Sequence, residues 1–304
     1  MSQLTSIPAI AFLGIGLMGK PMATRLLQAG YPLIAWNRTH GKAQAIVEFG
    51  ARIAANPADA AQQADIVITM LEDGPAVADV ICQAIPGLRP GSLVIDMSST
   101  RQSEACDMHA RLVAHGVDFM DAPVSGGVAG AESGSLAIMA GGSTKNFARA
   151  ETILQAMGRP AWVGDTGCGQ LAKLCNQLIV GGTLNIIAEA LLLAQAGGAS
   201  PAAVRAAIRG GFAESRILEV HGQRMLERNF APGGQVKSQL KDMENILDAA
   251  AAANIKLPLA EMVTQSYRSI TPALATADQS AILVALEHLN GGTRLGNGPD
   301  RLAE

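Results

Sequence analysis

Aromatic residues are scarce in this 304-residue chain: two Trp, two Tyr and six Phe, together 3%. Apolar residues still make up 49%, so a large core can form, but it must be built from Ala, Leu, Ile, Val and Met. An excess of either charge is also missing. Lys and Arg number 23 against 26 Asp and Glu, a net charge of −3. No basic field exists to meet a phosphate backbone, and nucleic acid is not an expected partner. Cysteine is limited to Cys82, Cys106, Cys168 and Cys175, with no C-x-x-C pair. His40, His109, His115, His221 and His288 are scattered and not at metal-ligand spacing, so reduced thiols and no metal are expected. The first eight residues lack a basic leader and cleavage site. The apolar run 178–196 is interrupted by Asn185, Glu189 and glycines, which reads as a buried helix in place of a membrane span, with the cytoplasm as the expected location.

What is present falls into two patterns. Short apolar runs at 9–13 and 33–36 and β-branched-rich runs at 66–70 and 93–97 alternate with helical segments such as 18–29, and the runs end in glycine or polar residues. That alternation predicts parallel β-α-β units, extended by further strands at 117–120, 136–140 and 161–163 and a helix over 144–157. After Gly169 the strand pattern stops. Helices are predicted over 171–195, 201–209, 215–227, 236–253, 259–269 and 280–289. The expected fold class is α/β: a Rossmann-type dinucleotide-binding domain over 1–166, then an all-α domain over 167–304, joined through a long helix.

The first strand runs into Gly14-Ile15-Gly16-Leu17-Met18-Gly19 and then into a helix. In this G-x-G-x-x-G arrangement the first glycine allows a tight turn, the second a close approach to pyrophosphate, and the third close helix–strand packing. Dinucleotide binding is therefore expected of Gly14, Ile15, Gly16, Leu17, Met18 and Gly19. Where NAD sites usually carry an acid, about 20 residues on, this chain has Asn37, Arg38 and Thr39. These can bond and partly neutralise a 2′-phosphate that a carboxylate would repel, which favours NADP. An exposed arginine stacked on the adenine of either cofactor is the alternative.

Downstream, Lys173, Asn176 and Gln177 stand at i, i+3 and i+4, so a helix would place them on one face. An ammonium there could give a proton to a carbonyl oxygen as hydride reaches the carbon, with an amide holding the oxygen. By itself the same lysine also suits a solvated helix surface.

Four ordered segments together resemble the β-hydroxyacid dehydrogenase family, which includes 3-hydroxyisobutyrate dehydrogenase, tartronate semialdehyde reductase and the glyoxylate/succinic semialdehyde reductases. They are the loop at 14–23, Asp121-Ala122-Pro123-Val124-Ser125-Gly126-Gly127 continuing to Gly130-Ala131, the segment 167–177, and Lys241-Asp242 within 239–243. The resemblance spans nearly the whole chain. It implies that Lys173 is the general acid in reduction, with Asn176 and Gln177 orienting the oxygen. It implies that Ser125 and the backbone of Gly126 and Gly127 hold a substrate carboxylate. Lys241 would reach toward nicotinamide or substrate with Asp242 nearby, and Leu71, Thr100 and the Ser98-Ser99 stretch would meet the cofactor, although ordinary packing also accounts for Leu71. Homodimers or homotetramers are implied too, and the apolar residues on more than one face of the helices after Ala190 independently suggest surface buried against a second subunit.

Subfamily clues diverge. Segments 210–215 and 228–233 resemble the tartronate semialdehyde reductase branch, whereas Asn37-Arg38-Thr39 resembles the NADP-using glyoxylate/succinic semialdehyde branch. Relatives commonly place a bulky residue after Pro232-Gly233, where this chain has Gly234. The expected activity is hydride transfer between NADP(H) and a small 3-hydroxy/3-oxo acid, such as tartronate semialdehyde to glycerate. A 3-hydroxyisobutyrate dehydrogenase and a glyoxylate/succinic semialdehyde reductase are close alternatives. Imine reductases on this scaffold usually lack the lysine, a phosphogluconate-type decarboxylase would need a longer C-terminal part, and a non-catalytic module would have lost Lys173, Ser125 or Lys241.

Overall fold

A computed structural model of the chain describes residues 7–291 and 293–302. The chain divides into two compact units, Met1–Lys173 and Leu174–Glu304.

Among the described residues, the first unit has one nine-stranded sheet. Its strands are β1 (Ile10–Leu13), β2 (Leu33–Trp36), β3 (Arg52–Ile53), β4 (Ile66–Thr69), β5 (Leu93–Asp96), β6 (Asp118–Asp121), β7 (Val124–Ser125), β8 (Leu136–Gly141) and β9 (Gly158–Gly164). The order β3-β2-β1-β4-β5-β6 is parallel throughout. It reverses direction between β1 and β4, the switch point at which such sheets bind ligands beyond their strand C-termini. Side chains alternate across the sheet as the pleat requires. Ile10 and Phe12 join one core with Met22 and Leu26, while Ala11 and Leu13 join another with Val67 and Ile81. Both faces are covered by helices, which is why the strands read as continuous apolar runs.

The first-unit helices are α1 (Gly19–Gln28), α2 (His40–Gln44), α3 (Pro57–Gln62), α4 (Gly74–Ala84), α5 (Gln102–Val113), α6 (Gly127–Ser133) and α7 (Thr144–Gln155), followed by the start of α8 (Cys168–Ala196). Several starts are capped locally: Asn56, Asp73 and Ser143 accept from the N–H groups of Asp59, Ala76 and Asn146.

The sheet's last part departs from the parallel expectation. β8 runs antiparallel to both β6 and β7, and β9 pairs parallel with β8. The link between β7 and β8 is shorter than the dozen or so residues a parallel crossover needs. β6 and β7 therefore share one edge of β8, with Pro123 at the break between them.

In the second unit α8 continues, followed by α9 (Pro201–Ala207), α10 (Gln223–Leu226), α11 (Val236–Ala252), α12 (Pro258–Leu274) and α13 (Ile282–Leu289). Leu184, Leu191, Phe230, Met243, Val263, Tyr267 and Ile282 form its core. The helix expected over 215–227 is split, with a π-helical turn at Leu218–Gly222 preceding α10. Arg205 Nε donates to the Leu218 carbonyl at 3.1 Å, and its Nη2 to that of Glu219 at 2.6 Å, satisfying a turn whose ladder is irregular. α8 is long and apolar enough by length and composition to cross a membrane, but Leu184, Ile187, Leu191 and Leu192 on it are buried in this core.

Candidate active site

At the C-terminal end of β1 the chain turns through Gly14 with φ +112, a conformation that favours glycine. A Cβ there would collide with the Met70 carbonyl, and one on Gly19 would collide with the Gly14 carbonyl. Gly16 has nothing within 4 Å of where a Cβ would stand. The two outer glycines are thus packed and the middle one is open. That cradle fits a pyrophosphate approaching the first turn of α1, as the residues of an NAD(P) site must. Asn37 braces it: its Oδ1 accepts from Ile15 N at 2.9 Å, and its Nδ2 donates to the Thr39 carbonyl at 3.0 Å. Arg38 and Thr39 are exposed beside it. A groove of about 550 Å³ opens on the loop's flank, bordered by Gly16, Leu17, Lys20, Lys42 and Phe49. Lys20, Arg25 and Lys42 give it charge suited to an anion, with Glu132 also lining it, and no role was expected of these residues from sequence.

The strand ends beyond the loop are joined by buried hydrogen bonds. Asp96 Oδ1 accepts from Thr69 Oγ1 at 2.8 Å and Ser98 N at 3.0 Å, and Ser98 Oγ accepts from Leu71 N at 2.9 Å. Leu71 is therefore fixed by its backbone, next to the segment that carries Thr100. Burial pushes the Asp96 carboxyl up to about 6, against the lowering pull of its bonds to Ser98 and Thr69. Gln170 closes the frame. Its Nε2 donates to the Ser98 carbonyl at 2.8 Å, and its Oε1 accepts from Thr100 N at 3.0 Å. Asp121, at the end of β6, accepts from Gly167 N at 2.7 Å and from Gln170 N at 2.8 Å. Burial raises the Asp121 carboxyl as well, while these N–H groups act to lower it.

Lys173 follows Gln170 by three residues on α8 and so lies one turn on along the same face. Its side chain is 9% exposed, not the solvated lysine that its residue type alone suggests. Two strands away, Ser125 is half-buried, and Gly126 and Gly127 are exposed with φ of +140 and +61. A Cβ on Gly127 would meet nothing within 4 Å.

The second unit holds the remaining predicted residues. Asn176 Nδ2 donates to Gln177 Oε1 at 2.8 Å. Gln177 Nε2 donates to Asp242 Oδ2 at 2.7 Å and to Gln239 Oε1 at 3.1 Å, and Gln239 Nε2 returns to the Gln177 carbonyl at 3.2 Å. Lys241 Nζ stands 3.6 Å from Asp242 Oδ1. Gln177, expected at the substrate, is thus engaged in tying α8 to α11. Gln239 was missed as a role-bearing residue, as were Asp96, Asp121 and Gln170. For Asp96 and Asp121 the available signal was a carboxylate closing a largely apolar strand run, and Gln170 and Gln239 carried none.

A dinucleotide cradle at a sheet's switch point, with a buried lysine one turn beyond the strand-end frame, defines an NAD(P)-dependent oxidoreductase. Comparison with known proteins narrows the class. Residues 9–175 match the family described as the NAD binding domain of 6-phosphogluconate dehydrogenase, and residues 167–286 match that described as the NAD-binding of NADP-dependent 3-hydroxyisobutyrate dehydrogenase. The chain is 36% identical over 284 residues to 2-hydroxy-3-oxopropionate reductase of Escherichia coli, covering 91% of this chain and 97% of that one. It is 33% identical over 288 residues to 2-(hydroxymethyl)glutarate dehydrogenase of Eubacterium barkeri, covering 93% and 96%. The solved structure of Mycobacterium tuberculosis 3-hydroxyisobutyrate dehydrogenase with L-serine superposes with a TM-score of 0.86 at 31% identity, over 92% of this chain and 99% of that one. The chain belongs to the β-hydroxyacid dehydrogenase family, the hydroxyacid dehydrogenases that include 3-hydroxyisobutyrate dehydrogenase and tartronate semialdehyde reductase.

Proposed function

We propose that the protein is an NADP-preferring reductase of small 3-oxo acids, reducing a semialdehyde such as tartronate semialdehyde to the 3-hydroxy acid. The observation that carries this reading is the burial of Lys173 one helical turn beyond Gln170, whose amide is bonded to the strand-end segment 98–100. When bound, NADPH supplies hydride to the carbonyl carbon. Lys173 gives a proton from Nζ to the carbonyl oxygen, so aldehyde, hydride and proton together make the alcohol, and the neutral amine then regains a proton from solvent. Asn176 orients that oxygen. Ser125 and the open backbone at Gly126 and Gly127 receive the substrate carboxylate, and Lys241 adds positive charge beside Asp242.

Asn37, Arg38 and Thr39 support NADP, since no carboxylate stands there to repel a 2′-phosphate, and Lys42 adds a nearby cation. A Cβ on Gly234 would lie 3.1 Å from Gln279 Nε2, so an amide faces the position where relatives carry bulk. A polar wall there favours a hydroxyl-bearing semialdehyde over a methyl-bearing one.

The test is oxidation of NADPH and of NADH with tartronate, succinic and methylmalonate semialdehydes and with glyoxylate. Preference for NADPH and one semialdehyde is expected, and Lys173→Ala should lower hydride transfer by about 10²–10⁴-fold. Turnover of Lys173→Ala within severalfold of wild type would remove the general-acid role. Tight NADPH binding without turnover of any aldehyde would favour imine reduction or a non-catalytic role.

The reading includes a homo-oligomer. Ile179, Ile186 and Leu193 recur every seven residues along α8 and are 66%, 56% and 74% exposed, an apolar row suited to a second copy. A mass of one chain by light scattering would remove this part.

A further inference from the structure

A helix start can be satisfied by a Ser, Thr, Asp or Asn immediately before it, as α3, α4 and α7 are here. The start of α8 is held differently. Its N–H groups are met by Asp121, 46 and 49 residues earlier in the chain and at the end of a central strand. The two oxygens of one carboxylate take N–H groups three residues apart, Gly167 at 2.7 Å and Gln170 at 2.8 Å. Two fixed points one turn apart set the helix both along and around its axis. Nothing local to the helix could refer it to the sheet in this way.

The carboxylate sits in a cradle that two glycines leave open. A Cβ on Gly141 would lie 2.6 Å from Asp121 Oδ1 and 2.5 Å from Gly169 N, and one on Gly169 would lie 2.8 Å from Asp121 Oδ2. Neither glycine has positive φ, so space alone accounts for them. From the same turn, Gln170 bonds sideways to Ser98 and Thr100, and Ser98 bonds on to Leu71. The ends of β4, β5 and β6 and the first turn of α8 thus form one connected frame, and Lys173 is the next residue on its helical face. Asp121 is 0% exposed and lies five residues before the exposed Gly126, so it is not itself placed to meet substrate.

We propose that Asp121 is a positioning residue that sets the place of Lys173 by clamping the first turn of α8 to the sheet, with Gln170 carrying the same registration to the segment 98–100. This rests on the general-acid reading of Lys173. A shift of about 1 Å at a reacting group can cost on the order of 10²-fold in rate.

The test compares wild type, Asp121→Asn, Lys173→Ala and the double variant. Single-turnover NADPH oxidation is measured with whichever of the four aldehydes wild type reduces fastest, and NADPH affinity is measured by its fluorescence. Asn keeps the size of Asp but presents a donor where an N–H needs an acceptor. Asp121→Asn should slow hydride transfer by roughly 10- to 100-fold while NADPH affinity stays within about twofold. In the Lys173→Ala background the same substitution should have almost no further effect, because what it misplaces is already gone. An equal loss in both backgrounds would overturn the proposal and leave the lysine's role intact. A Lys173→Ala variant as fast as wild type would instead overturn the general-acid reading, and the proposal with it.

Amide exchange gives a readout without turnover. The Gly167 and Gln170 N–H groups should exchange faster in Asp121→Asn, and unchanged protection overturns the clamp. Should that variant fail to fold, Gln170→Met leaves carboxylate and cradle in place and removes only the tie to 98–100. A smaller loss that vanishes with Lys173→Ala is expected, and an additive one is contrary.

Discussion

In the first unit the backbone does much of the holding, whereas in the second unit side chains do. Gly14, Gly16 and Gly19 shape the dinucleotide cradle through what they lack, and Asp96 and Asp121 bond to N–H groups of the chain itself. Among the described residues the second unit has no sheet, and most of its helical backbone is already paired within each helix. Its registration runs through Gln177, Gln239 and Asp242, and through Arg228, which is 2% exposed. The Arg228 guanidinium donates to both Glu287 oxygens at 2.7 and 2.9 Å, to the Leu295 carbonyl at 3.0 Å, and to Asp300. In the first unit buried carboxylates take backbone N–H groups at a strand end and at the start of α8, and in the second unit most of the registration passes between buried polar side chains.

That contrast can be broken most severely at Arg228. Arg228→Met strands Glu287, itself 8% exposed, without its partner. Removing one member of a buried ion pair costs about 3–5 kcal/mol. Urea unfolding should show a loss of that size, and a change below about 1 kcal/mol would mean that water already screens the pair. Gly14→Ala attacks the backbone side of the comparison. Strained φ and a blocked Cβ together should weaken NADPH binding by about 100-fold, or roughly 3 kcal/mol, read by fluorescence titration. Unchanged affinity would show that the turn can relax.

The third prediction is pH-dependent. The Asp96 carboxyl titrates near 6 when folded and near 3.8 when unfolded, so the native state holds its proton more tightly. The stability this gives is full below the lower value and lost as pH rises through the higher one, about 3 kcal/mol at most. Asp96→Asn keeps an oxygen that can accept from Thr69 and Ser98. Its unfolding free energy relative to wild type should therefore rise between pH 4 and pH 7.5, by up to that amount. A difference flat with pH would show that the carboxylate is stabilised where it sits.

The elements most legible in the sequence were those fixed by local rules. The runs at β1, β2, β4 and β5 and the glycine loop need only their neighbours to be understood, and Lys173 and Asn176 shared a face by spacing alone. β7 was not legible, because two residues carry no periodicity, and neither was the antiparallel turn of β8, set by a connection length hidden under α6. The roles of Asp121 and Gln170 were out of reach for a related reason. Their partners lie 46 to 72 residues away in sequence, and only the folded sheet brings them together. The substrate role of Gln177 is implied by the family resemblance, and the bonds of its amide nitrogen to Asp242 and Gln239, 65 and 62 residues on, are visible only in the fold.

The meeting of Gly141 and Gly169 around one carboxylate also has a meaning for inheritance. Every amino-acid replacement of glycine adds at least a methyl group, so neither position has a conservative neighbour in the genetic code. A library of all single substitutions should show two columns there, at sites far apart in the gene, in which no replacement is tolerated. Shortening the side chain at residue 121 would rescue neither, because the atoms nearest a Cβ are backbone: the Asp121 and Met139 carbonyl oxygens at 2.5 Å for Gly169, and Gly169 N at 2.5 Å for Gly141.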